Sequence, residues 1–263
     1  MKNKLASILH FLDRDFTLSK RQVLFAFLAL LIIGTGLRCS YWTMRDHPPR
    51  DEEFYIQAVE NINNHDPAWF KKYDYFSPLM PQIAAAACHS GITAEMALHI
   101  LNMGYAVLWV GIMFFLCRDV FNDDKAGLLG MALAAFNPYS VRMACQILRE
   151  PLYILIFTVS LWCAVRVIRG KGVNLFYPVI IGALTMLGIY TRVEGFEITL
   201  FLPLAAIIII LQYKMQYFRL AVTNCIIYFL TVAILASALF LTGDSYMTRI
   251  PGKLYGVYVF SKE

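Results

Sequence analysis

Val23-LFAFLALLIIGTG-Leu37, held between Arg21 and Arg38, contains no charged side chain and decides the solvent in which this chain folds. A bilayer core takes about 20 apolar residues per helix. Extended by its flanks, the run predicts a first span near 22–40. The same length predicts further spans near 98–117, 126–141, 150–168, 174–191, 195–211 and 219–241. The third is short and interrupted by Asn137-Pro138. Because the first run starts late, is long and has no small-residue cleavage site directly after it, it is expected to remain as an uncleaved anchor.

Composition points the same way. Of the 263 residues, 59% are apolar and only 16% charged, too hydrophobic a balance for an ordinary soluble domain of this length. The net charge of +5 does not indicate nucleic acid, because Lys and Arg are scattered in short inter-helix loops and form no dense basic stripe. Six cysteines, at 39, 88, 117, 145, 163 and 225, include no close pair of the kind that builds zinc or redox sites. No His pair has ligand spacing, so a His-rich metal centre is not expected. Matched inverted halves, the mark of many transporters, are missing, as is any internal repeat.

The expected fold is therefore an all-α polytopic membrane protein of about seven transmembrane helices. Two surface or juxtamembrane helices are expected in a first outer loop over 41–97. The membrane module covers 1–241, with a short outer tail over 242–263. Lys2, Lys4, Arg14, Lys20 and Arg21 precede the first span, and Arg118/Lys125, Arg166/Arg169/Lys171 and Lys214/Arg219 fall in alternate loops thereafter. The positive-inside rule assigns these to the cytoplasm. On that topology the 41–79 loop, the 142–150 turn, the 191–195 turn and the tail share the outer face.

Three polar constellations lie on that face. Pro48-Pro49-Arg50-Asp51-Glu52-Glu53-Phe54-Tyr55 opens a segment whose apolar residues 54, 55, 58, 59 and 62 share one helical face, as in an amphipathic helix lying on a membrane surface. Its acids either cap and complement the helix dipole or hold Asp51 as a base at the lipid boundary. Arg149-Glu150-Pro151 places an ionic pair at the mouth of a span, either facing headgroups or functional, with Arg142 upstream to join it or to snorkel. Tyr190-Thr191-Arg192-Val193-Glu194-Gly195 forces Arg192 and Glu194 to the boundary, as an anchoring pair or as an Arg fork for a lipid-linked phosphate. Between them Tyr73-Asp-Tyr-Phe-Ser-Pro-Leu-Met-Pro81 leads into a short Ala-rich helix. That helix is expected to end at Gly91, before Thr93 caps the next one.

In this order the pieces resemble the polyprenyl-phosphate-sugar-dependent glycosyltransferases of the C fold (GT-C), of the protein O-mannosyltransferase and aminoarabinose-transferase type. Asp51-Glu52-x-x-Tyr55-x-x-Ala58 resembles the family's acidic first outer loop, and Ser77-Pro78-Leu79-x-Pro81 the entry to its next membrane segment. Glu150-Pro-Leu-Tyr153 resembles the acidic start of a middle span, and Thr191-Arg192-x-Glu194-Gly195 a later Arg-x-x-Gly turn. The resemblance covers about residues 20–240, the front module of that fold; family members commonly continue with further spans and often a soluble acceptor-binding domain.

The resemblance implies an integral enzyme of a bacterial inner (plasma) membrane with an extracytoplasmic active face. It implies a polyprenyl-phosphate-linked sugar donor and an acceptor hydroxyl on a glycan, lipid or protein. Asp51 would be the general base, Glu52 would orient the sugar or an optional divalent metal, and Arg149 and Arg192 would stabilise the departing phosphate. Glu150 and Glu194 would hold those arginines, with Tyr55 and Arg142 completing the binding set. No other cofactor and no nucleic acid is expected. A non-catalytic membrane subunit, scaffold or lipid-binding protein of the same fold, acting with a partner, is the alternative, and a transporter the third reading.

Overall fold

The computed structural model describes residues 18–44, 50–64, 77–170 and 174–241. Among them every regular element is helical. The segments Arg45–Pro49 and 65–76, with part of the first outer loop, and the 242–263 tail lie outside the described residues.

Helix α1 (Lys20–Thr43) begins at a capping box, Ser19 Oγ accepting from the Gln22 N–H at 3.3 Å while Gln22 Oε1 accepts from the Ser19 N–H at 2.9 Å. Helices α2 (Arg50–Asn63) and α3 (Leu79–Cys88) follow, then α4 (Ala94–Phe121). Gly91, at φ +88°, makes the reversal after α3 in a conformation that a side chain would strain. Thr93 Oγ1 then caps α4 through the Met96 N–H at 3.3 Å, as the sequence predicts. The apolar face of α2 departs from expectation. Tyr55, Ala58 and Val59 are buried in one cluster with Met80 and Ala84 of α3 and Leu98 of α4, or beside it, so protein rather than a membrane surface covers that stripe.

Asn122, left-handed at φ 56°, ends α4, and Asp123 caps α5 (Asp124–Phe136). The break at Asn137-Pro138 is complete. Asn137 Oδ1 accepts from the Tyr139 and Ser140 N–H groups at 2.9 and 3.2 Å and starts a separate short helix, α6 (Pro138–Ala144). With 13 residues, α5 is about 20 Å long at 1.5 Å per residue, against a bilayer core of about 30 Å.

Its freed carbonyls are satisfied from α1. Fully buried, Arg38 donates through Nη1 to Gly34 O (2.9 Å) and Ala135 O (3.2 Å), and through Nη2 to Ala134 O (3.3 Å) and Ser140 Oγ (2.9 Å). A guanidinium at the negative end of a helix dipole explains how a charge is tolerated inside this bundle.

The remaining elements are α7 (Glu150–Arg169), α8 (Phe176–Thr191), a 3₁₀ segment (Val193–Leu200), α9 (Phe201–Tyr213), a 3₁₀ turn (Lys214–Tyr217) and α10 (Phe218–Leu241). Ile147 of the turn before α7 joins the main core with Ile156, Cys163, Ile181, Ile198 and Tyr228 from α7 to α10, and Trp109 Nε1 donates to Thr158 Oγ1 at 3.0 Å to tie α4 to α7. Among the described residues five stretches are long and apolar enough to cross a membrane: Lys20–Thr43, Ala94–Phe121, Glu150–Arg169, Val193–Tyr213 and Phe218–Leu239. Phe176–Thr191 is apolar but shorter. Their outward sides carry exposed Phe25, Ile32, Leu108, Leu211 and Ile234, in keeping with lipid as the surrounding solvent of an integral membrane protein.

Candidate functional site

The helices run between two polar ends. One gathers Arg118, Asp119 and Asn122 from α4, Lys125 from α5, and Arg166 and Arg169 from α7; α1 and α10 begin there with Lys20, Arg21 and Arg219. The other holds the start of α2, the 145–150 turn and the 190–195 turn, and every sequence-predicted site residue belongs to one of these elements or to neighbouring α6.

At that second end Glu52 is 2% exposed, and its Oε1 accepts from the Ile147 N–H at 2.9 Å, tying α2 to the turn before α7. Tyr55, one helical turn on, is buried in the core. Asp51 and Glu53 point outward and are exposed. The neighbouring Asn102 Nδ2 donates to Gln146 O, and Ser77 Oγ donates to Tyr190 O, so both turns are fixed by side chains from elsewhere in the chain.

Arg192 is the centre of the charge arrangement. The end of α8 leaves its backbone extended, and Gly195 packs directly on the Gly188 and Ile189 backbone, where a Cβ would come within 2.2 Å of Gly188 C. Close approach rather than an unusual φ therefore requires glycine in the predicted reversal. Arg192 Nη1 donates to Glu150 Oε1 at 3.2 Å, Nη2 to Glu194 Oε1 at 3.1 Å, and Nε lies 2.9 Å from Glu194 Oε2. The bond to Glu194 leads in raising this guanidinium above its ordinary pKa, so it stays charged.

Glu150 thus pairs with Arg192, forty-two positions away in sequence, and not with its neighbour Arg149 as the sequence suggests. Adjacent residues at a helix start diverge by about 100°, whereas the α8 turn delivers Arg192 directly. Arg149 is half-buried and Arg142 exposed. Glu150 Oε2 is buried with no hydrogen-bond partner among the described residues.

Two further groups complete the site. The Arg192 guanidinium lies 5.8 Å from the Tyr153 ring centre, and Tyr153 OH reaches Glu194 O at 3.2 Å and Glu197 Oε2 at 3.4 Å. Glu197 escapes the sequence reading because its link runs through a 3₁₀ turn whose side-chain directions follow neither the 3.6 nor the 2.0 period. Arg38 and Asp119 escape it as well; a lone charge at the edge of a long uncharged run is the signal that finds Arg38, whereas Asp119, next to Arg118 at the end of a span, reads as an ordinary boundary charge. No group of three or more His, Cys, Asp or Glu among the described residues is placed to hold a metal ion. No protein-family model matches the chain, and no curated protein matches it.

Proposed function

We propose that this protein is a membrane glycosyltransferase of the C fold, moving a sugar from a polyprenyl-phosphate donor to an acceptor hydroxyl with inversion. In this reading the α5–α6 pair and α8 count with the five long stretches as seven spans. The basic end is cytoplasmic, the carboxylate-rich end extracytoplasmic, and the membrane is the bacterial plasma membrane. The observation that carries the reading is the meeting of Glu150, Arg192 and Glu194 at the same end as the α2 acids, with Glu52 locked onto Ile147.

Asp51, exposed at the start of α2, takes the proton of the acceptor hydroxyl as its oxygen attacks the anomeric carbon. Glu52 positions Asp51 by anchoring the helix. As the anomeric C–O bond breaks, the electron pair leaves with the phosphate, and Arg149 and Arg192 offset its charge. Glu150 Oε2, buried and without a hydrogen-bond partner among the described residues, accepts a hydrogen bond from a hydroxyl of the bound sugar. A divalent metal is an optional addition to this set.

Reconstitution with polyprenyl-phosphate sugars tests the reading. Asp51→Asn should abolish transfer while leaving donor binding intact, and full transfer by this variant would sink the base assignment. The engagement of both terminal nitrogens of Arg192 by Glu150 and Glu194 favours a second reading, a non-catalytic subunit of the same fold. Retained pathway support after joint neutralisation of Asp51, Glu53 and Glu150 would establish that alternative.

A further inference from the structure

The basic end contains a recess of about 570 Å³, lined in part by Arg118, Asn122, Lys125 and Arg169, which the proposed transfer chemistry does not use. Its floor is Asp119, 4% exposed. Arg118 donates to Asp119 Oδ1 through Nε and Nη2, both at 3.3 Å; Arg166 Nη1 and Trp162 Nε1 donate to Oδ2 at 3.3 and 2.8 Å; and Arg169 Nη1 stands 3.7 Å from Oδ1. The carboxylate is saturated. Arg118 Nη1, Arg166 Nη2 and Arg169 Nε make no hydrogen bond to a described residue, while Arg169 Nη2 is held by Asn122 Oδ1 at 2.8 Å.

Around Asp119 itself the charges do not balance. Asp119 supplies one negative charge, and the C-terminal ends of α4 and α7 add roughly half a charge each, against three guanidiniums. Asp123 and Asp124 outnumber Lys125 at the rim, but Lys20 and Arg21 begin α1 beside Leu18, which also lines the recess. The lining residues alone therefore balance, and the surplus of roughly two positive charges belongs to this end of the bundle around the recess, through Arg166, Lys20 and Arg21. Exposed Val120 and Phe121 stand on the same last turn of α4, so the recess adjoins surface suited to lipid chains.

We infer that this recess binds a phosphate-bearing anion, supplied by the headgroup of an anionic phospholipid. The spare donors of Arg118 and Arg169, the two guanidiniums that line the recess, take the phosphate oxygens, and Phe121 and Leu18 meet the glycerol and first methylenes.

The test measures lipid retention by the full chain in detergent, using native mass spectrometry with phosphatidylglycerol, phosphatidylcholine or inorganic phosphate added. Phosphatidylglycerol should be retained over phosphatidylcholine. Arg169→Gln leaves Arg118 and Arg166 on Asp119 and should weaken retention about fivefold, the effect of about 1 kcal/mol per basic residue near a membrane surface. Arg219→Gln removes a charge from the same end outside the recess and should change nothing; an equal loss there would overturn the site in favour of diffuse attraction. Equal retention of both lipids by the parent, with no effect of inorganic phosphate, would also overturn it. Displacement of phosphatidylglycerol by millimolar phosphate, lost in Arg169→Gln, would retain the site and identify the free anion as its source.

Discussion

At one end of the bundle three arginines share a single carboxylate; at the other a single arginine is shared by two carboxylates. The same pair of ionic groups yields opposite surpluses. Asp119 is nearly sealed, so its arginines project their spare donors outward and the end attracts anions. Arg192 is 28% exposed, with Asp51, Glu53, Glu194 and Glu197 around that end also reaching solvent, so free carboxylate character remains there, where the proposed transfer would require a base. Closed, cation-rich charge suits anchoring, and open, carboxylate-rich charge suits chemistry on a neutral hydroxyl.

Four substitutions would break or sharpen that contrast. The largest effect is expected from Asp51→Asn, which should lower sugar transfer about 10²–10⁴-fold with an unchanged unfolding midpoint in detergent. The opposite profile is expected of Asp119→Ala. Removing the shared carboxylate takes the acceptor from three partly solvated guanidiniums and from Trp162, and should cost about 1.5–3 kcal/mol of stability, read as a lower midpoint. Arg192→Ala belongs between the two profiles, with a stability loss of about 2 kcal/mol for a partly solvated network and weaker donor binding in a direct assay. Smallest should be Tyr153→Phe, about 1 kcal/mol or less. If Tyr153→Phe exceeded Arg192→Ala, the phenol rather than the guanidinium would be the centre of the carboxylate-rich end.

Local features were legible in the sequence. Apolar length located α1, α4, α7 and α10, Thr93 announced the α4 cap, and Asn137-Pro138 announced the α5–α6 break. Each depends on residues within a turn of one another. Partnerships across the bundle were not legible. The Glu150–Arg192 pair spans two helices, and Arg38 finds its carbonyls 96 and 97 positions away. Hydrophobic periodicity fixes which face of a helix is apolar but not which neighbour it meets. The α2 stripe shows this limit: a face suited to lipid is equally suited to α3 and α4.

The Arg38 contacts also set an order of assembly. The guanidinium enters the membrane with α1, while Ala135, which receives it, is made 97 residues later. At 5–20 residues per second that interval is about 5–20 s. Through it the charge has only its own Gly34 carbonyl and whatever water or headgroups it can reach, and its buried partners exist only once α5 and the break at Asn137 arrive. The last carbonyls of a helix too short to cross thus act as the latch that lets the first helix settle.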